Sequence, residues 1–414
     1  MTRSRPAAPA DSQKDGPMPA STLKTLKLKP TGGRRLGRGH PWIFSNELEE
    51  IDKSAVPGEI RRVLAPTGEP AGTGFFNPHS LISVRLLRTG PEELEADLVP
   101  ARIRRAMERR AGTGGECGSG RMFFGESDGI PGLIVDKYSD ILVAEIVSAG
   151  AELLKEEITA ALRDIFRPRG IYYRNTHEFR KLEGLKPYNE TAFGEVPPAA
   201  QITENGLKYD VPLTSGQKTG WYFDQSENRA FLRPYFKGRK VMDLYTYHGA
   251  FALTAADAGA AMVWGLDSSA AAVQAAEHNA ALNGLQEKAL FRKEDAERAL
   301  GALRGGEMPE TPDFILLDPP NFARGKKNLA QAVKLLTRLN ASAMAGLPAD
   351  GLLAFSTCSH HISREVFLDL LRDAAAKAGR AATLLALRGQ ASDHPILLNM
   401  PETEYLHFAL LRVS

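Results

Sequence analysis

The sequence predicts an α/β protein with a doubly wound parallel sheet in its C-terminal half, and three observations carry that prediction. From about residue 200, short apolar runs at 241–245, 262–266, 290–292, 314–317 and 352–355 alternate with helical stretches. Such alternation argues a parallel sheet with helices on both faces. Acids or turn residues stand directly after these strands, at the edge where α/β sheets bind ligands. Before this unit, residues 23–95 carry short apolar runs between turn signals, the pattern of a small all-β barrel.

The 414 residues suggest two or three domains. We divide them into a disordered tail (1–22), a β-barrel (23–95), a small central α+β domain (96–195) and the α/β domain (196–414). Composition, 43% hydrophobic and 25% charged, is that of a globular protein. No apolar run approaches the roughly 20 residues of a membrane span, and no membrane partner is expected. The first residues lack the apolar stretch of a secretory signal. Cys117 and Cys358 are the only cysteines, which excludes a disulfide framework and a cysteine-rich zinc site and points to the cytoplasm. The net charge of +2 says little, but Lys24, Lys27, Lys29, Arg34, Arg35 and Arg38 form a run without an acid. It is either a solvated face or a nucleic-acid contact.

In chain order, the barrel strands are expected at 41–44, 60–64, 73–76 and 81–87, followed by a charged helical connector (91–110) and a Gly-rich boundary (112–120). The central domain reads as strand, strand, helix, strand: 133–135, 141–146, 152–166 and 171–173. Its helix places Leu153, Leu154, Ile158, Leu162 and Ile165 near the 3.6 period. Thr203-Glu204-Asn205-Gly206 is a hairpin turn. The Ala-rich helix after 266 stops at Asn283-Gly284, and strands at 383–387 and 405–412 close the chain.

The strand ends carry the chemistry. After the first come Asp243 and Tyr245, then Gly249 and Phe251. One glycine opens the turn, whereas a dinucleotide fingerprint needs three, so a phosphate cradle and a nicotinamide oxidoreductase are disfavoured. After the second, Asp267-Ser268 either accepts ribose hydroxyls or caps the next helix. Asp295, after the third, either reaches an adenine amino group or caps a helix. Asp318-Pro319-Pro320-Asn321-Phe322 fixes a rigid carboxylate suited to the edge of a planar base. Arg324, Lys326 and Lys327 follow as phosphate contacts or solvated charges. The fifth strand ends Ser356-Thr357-Cys358-Ser359-His360-His361. A buried cysteine is usually inert, but Cys358 stands at the ligand edge. Its neighbouring histidines have no second ligand cluster, so no metal is expected.

Several blocks together resemble the bacterial and archaeal large-subunit ribosomal RNA cytosine-C5 methyltransferases that carry an N-terminal PUA domain. They are Arg38-Gly39-His40-Pro41-Trp42-Ile43-Phe44, Phe76-Asn77-Pro78-His79-Ser80, Gly125 to Leu133, Gly216-Gln217-Lys218-Thr219-Gly220, Asp318-Pro319-Pro320 with Phe322, Phe355 to His361, and Asp393-His394-Pro395. The resemblance implies an RNA-binding PUA domain, a central domain and a Rossmann-like class I methyltransferase domain using S-adenosylmethionine. It implies cofactor contacts from Asp243, Asp267 and Asp295, with Lys218, Thr219 and Asp224 nearby. Tyr245, Gly249, Phe251, Ser268 and Asp318, at the same strand ends, complete that set. Cys358 matches the nucleophile, with Asp318 holding the base. Arg34, Arg35, Arg38, Trp42, Arg324 and Lys326 would contact large-subunit ribosomal RNA. Wider relatives carry a second cysteine where this chain has Asn321. The alternatives are amine methylation of guanine N2 or adenine N6, and a non-catalytic RNA-binding assembly factor. Whether the chain forms a homodimer is open at this level.

Overall fold

The computed structural model describes residues 23–111, 118–214, 220–308, 310–323 and 325–414. Cys117, Lys218, Thr219, Arg324 and the side chain of Lys326 lie outside the described residues, as does the 1–22 segment.

Five strands, β1 (Thr25–Lys27), β2 (Trp42–Phe44), β3 (Glu59–Leu64), β4 (Pro70–Phe76) and β5 (Ile82–Thr89), form a sheet of order β1-β3-β4-β5-β2. An isolated bridge between Leu28 and Leu48 draws its two edges together, so the sheet curls around Ile43, Val63, Phe76 and Val84. Helix α1 (Leu98–Ala111) leads into β6 (Gly120–Phe124), α2 (Gly125–Asp128), β7 (Leu133–Tyr138), β8 (Ile141–Ile146), α3 (Ala149–Leu153), α4 (Lys155–Phe166), β9 (Gly170–Asn175) and β10 (Tyr188–Gly194). This second sheet runs β10-β9-β8-β7-β6. Its outer strands β6 and β10 are missing from the sequence expectation because edge strands need no apolar alternation; β10 is mostly exposed. The expected single helix over 152–166 is two, broken at Leu154.

The hairpin β11 (Ala199–Glu204) and β12 (Leu207–Pro212) turns at Asn205-Gly206, both at positive φ (51° and 86°), as a two-residue hairpin loop requires. Helix α5 (Ser226–Phe236) precedes the large sheet. Its elements are β13 (Lys240–Leu244), α6 (Ala250–Asp257), β14 (Met262–Asp267), α7 (Ala270–Leu282), β15 (Ala289–Lys293), α8 (Ala296–Arg304), β16 (Phe314–Leu317), α9 (Leu329–Gly346), β17 (Gly351–Cys358), α10 (Arg364–Ala378), β18 (Ala382–Arg388) and β19 (Leu406–Val413). The strand order is β15-β14-β13-β16-β17-β19-β18.

Period-two alternation covers both faces. Phe314, Leu316, Leu352 and Ala354 pack with Leu232, Phe236 and residues of α6 and α7. Ile315, Leu317, Leu353 and Phe355 pack with Leu300, Leu336, Leu339 and Phe367 on the other side. The sheet departs from the expected all-parallel arrangement at one edge. Strand β19 lies antiparallel between β17 and β18, because consecutive β18 and β19 pair as a hairpin. The order reverses between β13 and β16, which opens a crevice at their carboxyl ends. No helix of the described residues is long and apolar enough to cross a membrane.

Candidate active site

The turn after β13 is the most strained backbone in the large sheet. Tyr245, Tyr247 and Gly249 all take positive φ (65°, 50° and 80°), a region costly to non-glycine residues and concentrated at functional sites. Asp243 holds the turn from below. Its Oδ2 accepts from Thr246 Oγ1 at 2.6 Å and from the Ala252 amide at 3.1 Å. The carboxyl is 1% exposed, and burial above all raises its pKa to about 7. The packing reason for Gly249 is separate from any ligand: a Cβ there would meet Phe291 Cζ at 3.0 Å and Ala276 Cβ at 3.1 Å. Phe251 is buried in the core beneath this turn. His248 is pushed down to about 4 by burial, so it is neutral at pH 7, and its ring stacks on Tyr247 with centroids 3.8 Å apart.

Asp267 ends the neighbouring β14. One carboxylate oxygen accepts from the Tyr247 amide (3.1 Å) and the other from the Ser269 amide (2.8 Å). The acid thereby ties the first strand-end turn to the second, while Ser268 beside it is exposed. Ser269, rather than Asp267, caps α7. Asp295, after β15, does cap its helix: one oxygen accepts from the Glu297 and Arg298 amides. The three acids thus stand at the ends of three adjacent strands.

On the other side of the crevice, β16 and β17 are neighbours in register, Leu317 opposite Phe355. They deliver Asp318 and Cys358 to one edge. Strand β17 runs through Cys358, which pairs with Leu406, so the thiol is held by a sheet ladder rather than a loop. Asp318 Oδ1 accepts from Ser356 Oγ (2.5 Å) and Gln225 Nε2 (3.2 Å), and Gln225 Nε2 also reaches Ser356 Oγ (3.0 Å). Gln225 and Ser356 are the members of this site that sequence reasoning missed. Ser356 faces the same way as Cys358 by strand alternation, a signal available in the sequence. Gln225 arrives from 93 residues before Asp318 and carries no such signal.

Asp224, next to Gln225, accepts from Tyr405 Oη at 2.8 Å. Cys358 lies within electrostatic reach of Tyr405 and Tyr222. Burial pushes both phenols well above their ordinary range, so both remain protonated donors at neutral pH. Asn321 Oδ1, just past the two prolines, is buried with no hydrogen-bond partner among the described residues. A buried acceptor left open in this way suits a ligand amino group.

Lys327 is exposed. Of the remaining predicted contacts, Arg34, Arg35 and Arg38 are exposed on the β-domain. Trp42 is instead occupied at a domain joint: its indole N–H donates to Glu126 at 2.7 Å, and Arg85 covers its ring at 5.0 Å.

The residues present suit S-adenosylmethionine. Three strand-end acids offer negative charge to a cationic ligand and acceptors to its hydroxyl and amino groups, and the turn after β13 carries one glycine, Gly249, rather than a glycine-rich phosphate cradle. The fold and the site together define a methyltransferase of the class I type joined to a PUA-like domain. Residues 26–89 match the PUA-like domain model, and residues 183–378 match that of the S-adenosylmethionine-dependent methyltransferases. The Ribosomal RNA large subunit methyltransferase I of Shewanella denitrificans is 37% identical over 394 residues, covering 94% of this chain and 99% of that one. This chain belongs to the ribosomal RNA large subunit methyltransferase I family. Two solved structures share the whole fold. A Streptococcus mutans protein described as a SAM-dependent methyltransferase superposes with a TM-score of 0.80 at 20% identity, over 94% of this chain and 100% of that one. SMU.776, described as a methyltransferase and solved with SAH, gives 0.82 at 21% identity with the same coverage.

Proposed function

We propose that this protein methylates C5 of a cytosine in large-subunit ribosomal RNA, in the cytoplasm, through a covalent adduct with Cys358. The observation that supports it is that adjacent strands β16 and β17 carry Asp318 and Cys358 to the same edge of the sheet to which β13, β14 and β15 bring Asp243, Asp267 and Asp295. Bound S-adenosylmethionine supplies the electrophilic methyl group. Asp267 would hold the ribose hydroxyls, Asp295 the adenine edge through its remaining oxygen, and Asp243 with Tyr245 the cationic end. Lys218, Thr219 and Asp224, carried from the resemblance, and Ser268, beside Asp267, complete the cofactor-side set.

Cytosine C5 is too weak a nucleophile to take the methyl group unaided. Addition of the Cys358 sulfur to C6 makes C5 an enamine carbon. After C5 has been methylated, loss of its proton restores the C5–C6 double bond and expels the thiol. Asp318, held by Ser356 and Gln225, is suited to bind the N3 and amino edge and stabilise charge on the ring. Asn321 offers a second acceptor to the amino group. The target base must leave its stack to reach this edge; Arg34, Arg35, Arg38, Arg324 and Lys326 would hold the surrounding phosphates.

The test is transfer of tritiated methyl from S-adenosylmethionine to unmodified large-subunit rRNA, followed by nucleoside analysis, for wild type and Cys358→Ala. Label in 5-methylcytidine that vanishes in the variant is the expected result. Label in methylguanosine or methyladenosine that survives the substitution overturns the cysteine mechanism in favour of amine methylation.

A further inference from the structure

The loop between β18 and β19 touches both ends of the molecule's RNA-facing problem. At its inner end, β19 begins at Leu406, opposite Cys358. Before it, the His394 ring lies 6.4 Å from Tyr405. At its outer end the loop reaches the β-domain, where Asn399 Nδ2 donates to the Gly39 carbonyl at 2.6 Å. Glu402 pairs there with His40 (3.0 Å) and Arg35 (3.7 Å).

Between these anchors stands Leu398, 98% exposed. The loop that displays it is braced rather than slack. Leu397 N donates to Thr403 Oγ1 (2.9 Å), Thr403 Oγ1 donates to the Met400 carbonyl (2.7 Å), and Gln390 Nε2 reaches the Thr403 carbonyl (2.7 Å). Met400, two residues on, is buried. An apolar side chain fixed outward at such a point has no folding benefit, since it buries nothing. It borders a cleft of about 730 Å³ that Arg35 and Arg38 also line. Arg34 and Arg38 have no acid within ion-pair distance among the described residues, which leaves their charge for an anion.

Resting on the cytosine-methylation reading above, we propose that Leu398 is an apolar wedge. It enters the RNA stack beside the target nucleotide while Arg34 and Arg38 hold the flanking phosphates. Extruding a base leaves a gap in the stack, and an inserted apolar side chain both forces and fills that gap. The braced loop that carries Leu398 runs into β19, whose first residue pairs with Cys358, so the wedge is tied through one strand to the thiol that would take the displaced base.

The experiment uses the full chain and an unmodified large-subunit rRNA transcript. Turnover, transcript affinity by filter binding, and dimethyl sulfate reactivity of the bound RNA are measured for wild type, Leu398→Ala and Leu398→Met. For Leu398→Ala, turnover at saturating RNA is expected to fall at least tenfold while transcript affinity changes less than threefold. Discrete nucleotides made reactive by the wild-type protein return to background, with the surrounding protection kept, and Leu398→Met recovers most of both signals. Arg34→Ala/Arg38→Ala weakens transcript binding about tenfold and flattens its salt dependence. Three results overturn the wedge: Leu398→Ala within twofold of wild type, a loss wholly in affinity, or altered self-association of the protein alone. If wild type transfers no methyl group, the cytosine reading fails, and the reactivity pattern still decides the wedge.

Discussion

Two regions of this protein are built from equally distinctive sequence blocks but use them differently. At the joint between the β-domain and the central domain, the polar side chains, Arg85 Nε apart, are consumed by each other. Glu183 is buried and accepts from Asn77 Nδ2, Ser80 Oγ and Arg85 Nη2 at 3.0–3.1 Å, while Glu126 takes Trp42 and Arg85. At the carboxyl edge of the large sheet, polar groups are held but not exhausted: Asp295 uses one oxygen, and Asn321 keeps a buried acceptor open. A motif whose hydrogen bonds close on themselves is architecture. One whose partners fix it while leaving valence over is a site.

That contrast can be broken by substitution, and the largest effect is expected at the thiol. Cys358→Ala should lower methyl transfer by more than about a thousandfold while denaturant unfolding shifts by no more than about 1 kcal/mol. Parallel losses of activity and stability would place Cys358 with the joint instead. Glu183→Ala should do the reverse. Losing the acceptor of Asn77, Ser80 and Arg85, of which Arg85 keeps Glu126, costs about 2 kcal/mol of stability, while affinity for S-adenosylhomocysteine, measured by calorimetry on folded protein, stays within twofold.

Asp267→Ala comes next: losing two charge-assisted hydrogen bonds to a ribose weakens cofactor binding on the order of a hundredfold. Asp243 gives a pH signature. Its folded pKa of about 7 exceeds the ordinary 3.8, so this group destabilises the fold progressively as pH rises between those values. A cationic cofactor favours the carboxylate, and its binding displaces the proton. Affinity for S-adenosylmethionine should therefore rise about tenfold from pH 6 to pH 8, and Asp243→Asn should flatten that slope in calorimetric titrations. The smallest effect belongs to Asp295→Ala, about 1 kcal/mol for the lost cap with a roughly threefold change in cofactor affinity. A change above thirtyfold would mean that the cap matters less than the adenine contact.

The sequence made the strand ends legible because parallel strands alternate with helices and deliver their last residues to one edge. Asp243, Asp267, Asp295, Asp318 and Cys358 could be found that way. It mistook the weight of other blocks. Trp42 reads as an RNA contact on the resemblance alone, with no sign of its structural partner Glu126, 84 residues away. Gly249 looked like ligand approach, and packing against Phe291 also requires it.

Most elements and their order were legible in the chain, the edge strands β6 and β10 and the break at Leu154 excepted, because periodicity, turn chemistry and caps act over a few residues. The assembled fold fixed which of their polar groups meet. It set β19 between β17 and β18, brought Gln225 to Asp318, and bent the loop before β19 toward Gly39. Those choices rest on pairing and burial between segments far apart in the chain, where spacing carries no information and only the shared core fixes who stands beside whom.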